Sequence, residues 1–371
     1  MNPADDLAWM AQAMALARRG RYGTSPNPAV GCVLVRNGQR IGEGWHRQAG
    51  GPHAEIHALQ AAGDARGATA YVTLEPCSHH GRTPPCADAL VAAGIARLVY
   101  GMQDPNPAVA GRGLARLAAA GIAVHGPLLE ADAQALNTGF IHRMRSGLPY
   151  VIGKSAASLD GRTAMASGES QWITGPAARA DVQKLRAASC AILTGIGTVL
   201  QDDPQLTVRD ATLAEAGLPL RQPLRVIVDS RLRIPLSARV LAGPGQALVV
   251  YATAAADNIR ALQAAGVQCL QLAGADGRVN LPALLAELGR RQVNQLMVEA
   301  GSGLTGSLVE QRLLNEWWLY MAPTVLGSQA QPLAGLSLTQ MAEQRRWQIR
   351  DIRRIGDDVR WQLLPAAEEQ G

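Results

Sequence analysis

One histidine and two cysteines constrain the fold of this chain more than any other feature. His53, Cys77 and Cys86 carry side chains that bind zinc, and three protein ligands leave a fourth position open for water. The pattern around them predicts that His53 opens a helix, that Cys77 follows a buried strand and that Cys86 begins a second helix, where a thiolate is stabilised by the helix dipole. The fold must therefore bring two helix starts and one strand end to a single point.

Glu55 follows the histidine by two residues and adds a carboxylate beside the predicted metal. Such a carboxylate takes a proton from water and delivers it to a substrate nitrogen, provided that it does not itself bind zinc. A histidine, this carboxylate and a Pro-Cys pair are typical of hydrolytic nucleobase deaminases. The cysteines are separated by eight residues instead of the two of that pattern.

Two other interpretations of the cysteines stay open. The zinc site is closed if Cys32, His57, His79 or His80 supplies a fourth ligand, but a closed site has no use for Glu55. Alternatively, the cysteines are buried small hydrophobic residues without a metal.

Two further polar segments lie near the predicted site in the sequence. The insert 78–85 carries Arg82, which is a candidate for a substrate phosphate if the insert closes over the site, and otherwise belongs to a solvated loop. Asn27 lies in a Pro-Asn-Pro turn, where it either holds a ribose or base edge or only forms the turn.

Length and composition predict a two-domain protein of a reducing compartment. The 371 residues exceed one ordinary core, and no apolar run is long enough to span a membrane. Five cysteines are an odd number, and two of them must stay thiolates, so we expect a cytoplasmic protein. The net charge of +5 is carried almost entirely by arginine, which favours compositional bias over an anionic partner. The basic segment 345–354 alternates with apolar residues and predicts a solvated edge strand.

Helix and strand patterns alternate along the whole chain. The first part predicts a three-layer α/β domain over residues 1–146, and Gly147-Leu148-Pro149 is the expected junction. Residues 149–367 predict a second α/β domain. In that domain, the strand 295–298 runs into the glycine pattern G-x-G-x-x-G at 301–306, which either approaches a pyrophosphate or forms a purely structural turn.

Taken together, these motifs resemble one known family. The segments 26–31, 53–55 and 75–86 are similar to the pyrimidine deaminase half of the bifunctional riboflavin-biosynthesis deaminase-reductases. The segments 154–161, 169–174 and 195–209 are similar to the reductase half. The resemblance implies a cytidine-deaminase-like three-layer α/β/α domain followed by a dihydrofolate-reductase-like α/β domain, with Zn²⁺ and NADPH as cofactors.

The resemblance also implies site residues in the second domain. Arg186 and Arg209 would suit a substrate phosphate, unless either one is a surface ion pair, and Glu299 would suit ring or ribose donors. Lys154 is a candidate for orienting the reacting carbonyl, or else is a strand lysine whose ammonium only extends to solvent. Arg231 with Arg233 is a candidate for the cofactor's 2′-phosphate. The implied NADPH contacts are Ala156, Trp172, Thr198, Asp202, Ser230, Gly301, Ser302, Gly303, Leu304, Thr305, Gly306 and Ser307, and the implied substrate contacts are Ser170, Arg186, Leu206, Arg209 and Glu299.

The function that follows is a two-step enzyme acting on a small phosphoribosyl pyrimidine. It would deaminate the pyrimidine with zinc and Glu55 and then reduce the ribose to ribityl with NADPH. We expect a homo-oligomer with no nucleic-acid partner and no membrane association. The rivals are a nucleic-acid deaminase with an accessory domain, and a non-catalytic zinc-stabilised module in which replacing Glu55 has no effect.

Overall fold

The computed structural model describes residues 3–78, 85–107 and 109–366. The chain divides into an N-terminal unit, Met1–Gly147 with Ala214–Leu220, and a C-terminal unit, Leu148–Leu213 with Arg221–Gly371. Within the described ranges, no helix is both long enough and apolar enough to cross a lipid bilayer.

The N-terminal unit is built on a five-stranded sheet of order β2-β1-β3-β4-β5, in which β1 is antiparallel to both neighbours and the other pairs are parallel. Its elements are α1 (Pro3–Gly20), β1 (Gly31–Arg36), β2 (Gln39–Trp45), α2 (Ala54–Ala62), β3 (Thr69–Val72), α3 (Cys86–Ala92), β4 (Arg97–Tyr100), α4 (Arg112–Ala119), β5 (Ala123–His125), α5 (Glu130–Leu136) and α6 (Thr138–Ser146).

Alternation along β1 shows how this sheet is covered on both faces. Val33 and Val35 pack with apolar residues of α1, α5 and α6, whereas Cys32 and Leu34 pack with those of α2, α3 and α4. Successive strand side chains point to opposite faces, so a strand that is buried throughout must be sandwiched between helices. The predicted three-layer α/β/α domain is confirmed.

The C-terminal unit has a nine-stranded sheet of order β11-β10-β9-β8-β12-β6-β13-β16-β15, parallel from β11 to β13 and antiparallel from there to β15. Its elements are β6 (Tyr150–Ser158), β7 (Arg162–Ala164), α7 (Pro176–Ala188), β8 (Ala191–Gly195), α8 (Ile196–Asp202), β9 (Leu224–Val228), β10 (Ala247–Tyr251), α9 (Ala256–Ala264), β11 (Gln268–Gln271), α10 (Leu281–Arg290), β12 (Gln295–Val298), α11 (Ser302–Glu310), β13 (Glu316–Ala322), β14 (Gln331–Pro332), β15 (Trp347–Ile355) and β16 (Asp358–Pro365).

Helices cover both faces of this second sheet as well. Residues of α7 and α9 pack on one face, and residues of α10 and α11 pack on the other. The strand β15 is the outermost strand of the sheet and is mostly exposed, as the alternation of basic and apolar residues predicted. The C-terminal fold agrees with the expected dihydrofolate-reductase-like domain.

Candidate active sites

The three predicted zinc ligands meet in the N-terminal unit. His53 is the N-cap of α2, Cys86 is the first residue of α3, and Cys77 lies in the loop that follows β3. Their ligand atoms all lie within 4.8 Å of one another. The His53 Nδ1 atom is 3.2 Å from Cys86 Sγ and 3.7 Å from Cys77 Sγ, and the Cys86 backbone N–H donates to Cys77 Sγ at 3.3 Å.

This donor set fits a zinc ion. Zn–N bonds of about 2.0 Å and Zn–S bonds of about 2.3 Å, arranged as a tetrahedron, give an N···S edge of roughly 3.5 Å. The two observed N···S distances of 3.2 and 3.7 Å lie on either side of that value. Among the described residues, neither Cys32 nor His57 joins the cluster as a fourth ligand. His79, His80 and Arg82 lie outside the described residues.

Glu55 stands beside the cluster in the first turn of α2. Glu55 is 3% exposed, and its carboxylate accepts a hydrogen bond from the Cys86 thiol. Burial raises the pKa of Glu55 to about 7, because the charged form has lost its water. A carboxyl group with that pKa both accepts and releases a proton near neutral pH.

A buried histidine that the sequence analysis did not identify orients Asn27. His46 is buried, and burial lowers its pKa to about 4, so the ring is neutral. Its Nδ1–H donates to the Pro52 carbonyl at 3.0 Å, which leaves Nε2 to accept from the Asn27 amide at 3.1 Å. The ring also packs edge-on against His53, with centroids 5.2 Å apart. The Asn27 amide is therefore held by the same side chain that supports a zinc ligand.

Glu75 anchors the loop that carries Cys77. The Glu75 carboxylate is buried and accepts four backbone N–H groups, from Asp104, Gly111, Gly113 and Leu114, at 2.9 to 3.4 Å. The start of α4 is so close to this loop that a Cβ on Gly113 would lie 2.0 Å from the Pro76 carbonyl oxygen.

A cavity of about 820 Å³ opens at the ends of the central strands in the C-terminal unit. Residues from β6, the segment 170–174, α7, α8, the loop 203–209 and the turn after β12 line it. The implied site residues on its wall are Ala156, Ser170, Trp172, Arg186, Thr198, Asp202, Leu206, Arg209, Glu299, Gly301, Ser302, Gly303 and Leu304.

Four implied cofactor contacts lie outside the lining of this cavity. The Ser230 hydroxyl accepts the Val279 N–H at 3.2 Å, and the Ser307 hydroxyl donates to the Gly303 carbonyl at 3.1 Å. Thr305 is buried and donates to the Ala300 carbonyl. Gly306 packs directly on backbone, because a Cβ there would lie 2.3 Å from the Gly335 carbonyl oxygen.

The glycine pattern after β12 combines an open and a closely packed part. The Gly301 N–H donates to Thr198 Oγ1 at 3.1 Å, which ties this turn to the first turn of α8. A Cβ on Gly303 would meet nothing within 4 Å and would point into open space. The helix α11 begins at Ser302 on the cavity wall, and its N-terminal amides suit a cofactor pyrophosphate.

A largely buried charge cluster forms the floor of the cavity. The Arg186 guanidinium donates to both Glu299 oxygens, at 2.6 and 2.9 Å, and to the Thr207 carbonyl at 3.2 Å. The Lys154 ammonium lies 3.8 Å from Glu299. Burial acts to raise the Glu299 pKa, but the charges of Arg186 and Lys154 outweigh it and hold the pKa at about 2. Arg186 thus forms an ion pair, but the pair is bidentate and largely buried instead of lying at the surface.

Two arginines of the cavity wall lie outside every sequence motif, so their position could not be predicted from the sequence. Arg179 lies 4.5 Å from the ring centroid of the exposed Trp172 and donates to the Thr174 carbonyl. Arg239 enters the cavity from a loop 30 residues beyond Arg209 in the sequence. Only the folded chain brings them to the same wall.

Comparison with known proteins identifies both units. Residues 3–102 match the cytidine and deoxycytidylate deaminase zinc-binding region, and residues 149–361 match the RibD C-terminal domain. The riboflavin biosynthesis protein RibD of Escherichia coli is 52% identical over 369 residues, which cover 97% of this chain and 100% of that protein.

Two solved structures are similar over almost their whole length. Acinetobacter baumannii RibD has a TM-score of 0.90 and 46% identity, with 98% of this chain and 99% of that chain covered. A Thermotoga maritima protein, named as a diaminohydroxyphosphoribosylaminopyrimidine deaminase/5-amino-6-(5-phosphoribosylamino)uracil reductase, has a TM-score of 0.86 and 30% identity over the same shares. The chain therefore belongs to the RibD family of bifunctional riboflavin-biosynthesis enzymes, which join a zinc-dependent deaminase and an NADPH-dependent reductase.

Proposed function

We propose that this chain deaminates 2,5-diamino-6-(5-phosphoribosylamino)pyrimidin-4(3H)-one in its N-terminal unit and reduces the deaminated product in its C-terminal unit. The final product would be 5-amino-6-(5-phosphoribitylamino)uracil. The names of both reactions are carried by the similar Thermotoga maritima protein. The observation that most supports the first step is the buried Glu55 carboxyl beside three converging zinc-binding side chains.

His53, Cys77 and Cys86 would hold the zinc ion in the first step. When bound, zinc lowers the pKa of a water molecule so that the water becomes a nucleophile near neutral pH. Glu55 would accept one proton of this water and deliver it to the ring nitrogen. It would then pass the second proton, from the hydroxyl now bound to carbon, to the amino group, which leaves as ammonia. The C–NH₂ bond is exchanged for C=O, and one ammonia leaves for each water consumed. Asn27, held by His46, binds a polar edge of the substrate.

Lys154 and Glu299 face the sugar in the second step. Bound NADPH supplies the hydride that reduces the ring-opened ribose carbon. Lys154 is positioned by its contact with Glu299 and donates a proton to the carbonyl oxygen as the hydride reaches the carbonyl carbon, so that C=O becomes CH–OH. Glu299 accepts hydrogen bonds from ribose hydroxyls while its own charge is balanced by Arg186. Trp172, Thr198 and the start of α11 bind the cofactor.

We also propose a cytoplasmic homo-oligomer that does not bind nucleic acid. The two thiolate ligands need a reducing compartment. The arginines of β15 support the absence of a nucleic-acid site, since Arg350, Arg353 and Arg354 each pair with a nearby carboxylate. Ile349 and Ile352 are exposed on the same edge strand, which supports contact with a second copy.

A stepwise assay of the purified full-length protein tests this function. With the diaminopyrimidine ribosyl phosphate alone, we expect release of one equivalent of ammonia and no reduction. Addition of NADPH should then oxidise one equivalent of the cofactor. Ammonia release that requires NADPH, or deamination of cytidine in single-stranded DNA at a comparable rate, would contradict the proposal.

A further inference from the structure

The cavity of the C-terminal unit carries an excess of positive charge. Five cationic side chains line it, against three carboxylates; the cations are Lys154, Arg179, Arg186, Arg209 and Arg239, and the carboxylates are Asp202, Asp203 and Glu299. An uncompensated double positive charge in a partly enclosed cavity favours a ligand with a phosphate group.

Three of these cations are already engaged within the protein. Arg186 uses three donors on Glu299 and Thr207, and Lys154 faces the same Glu299 carboxylate. Arg179 donates to a backbone carbonyl and lies over the ring of Trp172, on the cofactor side of the cavity.

Arg209 and Arg239 are different, because neither guanidinium forms an ion pair with a carboxylate of the described residues. Both guanidiniums line the same cavity. Burial and then the charge of Arg186 lower the pKa of Arg209, Glu299 acts in the opposite direction, and the charge of Arg239 lowers it further. Two like charges that face one cavity repel each other, and an anion between them removes that cost.

The loop that carries Arg239 is fixed from both sides. The Arg239 backbone N–H donates to Asp203 Oδ1 at 2.8 Å, which attaches the loop to the end of α8. The buried Arg225 side chain holds the residues that follow by donating to the Ala242 and Gly245 carbonyls. The position of Arg239 at the cavity is thus set before any ligand arrives, which lowers the entropy cost of binding.

We propose that Arg239 is a further substrate-binding residue of the reductase, and that it clamps the phosphate ester of the ribosyl substrate together with Arg209. This inference rests on the proposed function, because it assumes reduction in this cavity. Arg186 contributes to the same cavity from its floor, where its pair with Glu299 holds it. The alternative ligand for Arg209 and Arg239 is a phosphate group of NADPH, which would enter the cavity from the Trp172 side.

The test uses the full-length protein, NADPH and the deaminated intermediate, compared with the same compound lacking its 5′-phosphate. For Arg239→Gln we expect the KM of the phosphorylated substrate to rise by about 10- to 100-fold, as for loss of a charge-assisted hydrogen bond. The KM of the phosphate-free compound and the KM of NADPH should change less than about threefold. Arg239→Lys should restore most of the preference for the phosphorylated substrate, because it keeps the charge.

Arg260→Gln is the matched control, since it removes one exposed arginine of α9 that is not part of the cavity lining. It should leave all three KM values unchanged. Equal kinetics of Arg239→Gln and wild type would overturn the inference, as would a rise confined to the KM of NADPH. If the wild-type protein oxidises no NADPH with the deaminated intermediate, the proposed function is wrong. If the wild-type protein is active and Arg239→Gln has the same KM for the phosphorylated substrate, only the phosphate-binding role of Arg239 is wrong.

Discussion

The zinc cluster and the reductase cavity are assembled in opposite ways. The cluster draws its three ligands and Glu55 from residues 53–86, and each lies at a helix start or strand end that the sequence pattern predicts. The cavity draws its wall from residues 154–331, and none of its contacts is defined by a short motif alone. The function of the cluster depends on the type and spacing of the side chains that can bind one metal ion. The function of the cavity depends on which charged side chains from distant segments pair with one another.

That difference decides how far each site could be predicted. Zinc-binding side chains and a nearby carboxylate have few other uses in such a pattern, so residue type and spacing were enough to predict a cluster that the geometry fits. For the cavity, the sequence supplied residues but not their partners. Arg186 was expected to meet a phosphate unless it formed an ion pair, and the sequence could not show that its guanidinium donates to both oxygens of Glu299. Its contact with the substrate stays a prediction.

Removing a zinc ligand should have the largest effect. For Cys86→Ala we expect loss of bound zinc and a fall in ammonia release of at least about 10³-fold, because water then keeps a pKa far above neutral. Zinc content by mass spectrometry and ammonia release measure the change. Cys269→Ala, a thiol in the other unit, is the control and should keep both zinc and activity. Full deaminase activity in zinc-free Cys86→Ala would show that deamination does not require the metal.

Breaking the buried pair should be the next largest effect and should be confined to the cavity. For Arg186→Gln we expect the C-terminal unit to lose about 3 kcal/mol of unfolding free energy, because Glu299 stays buried without its main partner. Denaturant unfolding, together with NADPH oxidation, tests this. Ammonia release should persist under native conditions, and the exposed Arg260→Gln should cost less than about 0.5 kcal/mol. An Arg186→Gln protein as stable as wild type would contradict the buried pair.

Two alanine substitutions in the glycine pattern should separate packing from binding. Gly306→Ala forces a methyl group against the Gly335 backbone and should destabilise the C-terminal unit by about 2 kcal/mol. Gly303→Ala meets only open cavity space, so it should leave stability within about 1 kcal/mol and raise the KM of NADPH instead. Thermal unfolding and NADPH titration distinguish the two. Equal losses of stability would show that the whole pattern is structural.

The fold shows the same difference between features that a local sequence pattern predicts and features that depend on distant partners. The strand 295–298 was predicted because a buried parallel strand has a continuous apolar run, here from Leu296 to Val298. The edge strand β15 was predicted from its alternation, but its partner β16 was not, because Arg360 on β16 is buried through pairs with Asp181 and Asp351. Likewise, His46 has no sequence signal beyond its place after β2, since its role depends on Asn27 and Pro52.

The central claim is that one chain holds two independent active sites, and Glu55→Gln tests it most directly. Full-length Glu55→Gln should be assayed for ammonia release from the diaminopyrimidine ribosyl phosphate, and separately for NADPH oxidation with the deaminated intermediate. We expect ammonia release to fall by about 10²- to 10⁴-fold, while NADPH oxidation stays within about twofold of wild type. Equal loss of both activities, or full retention of ammonia release, would contradict the assignment of Glu55 as the proton carrier of a separate deaminase site.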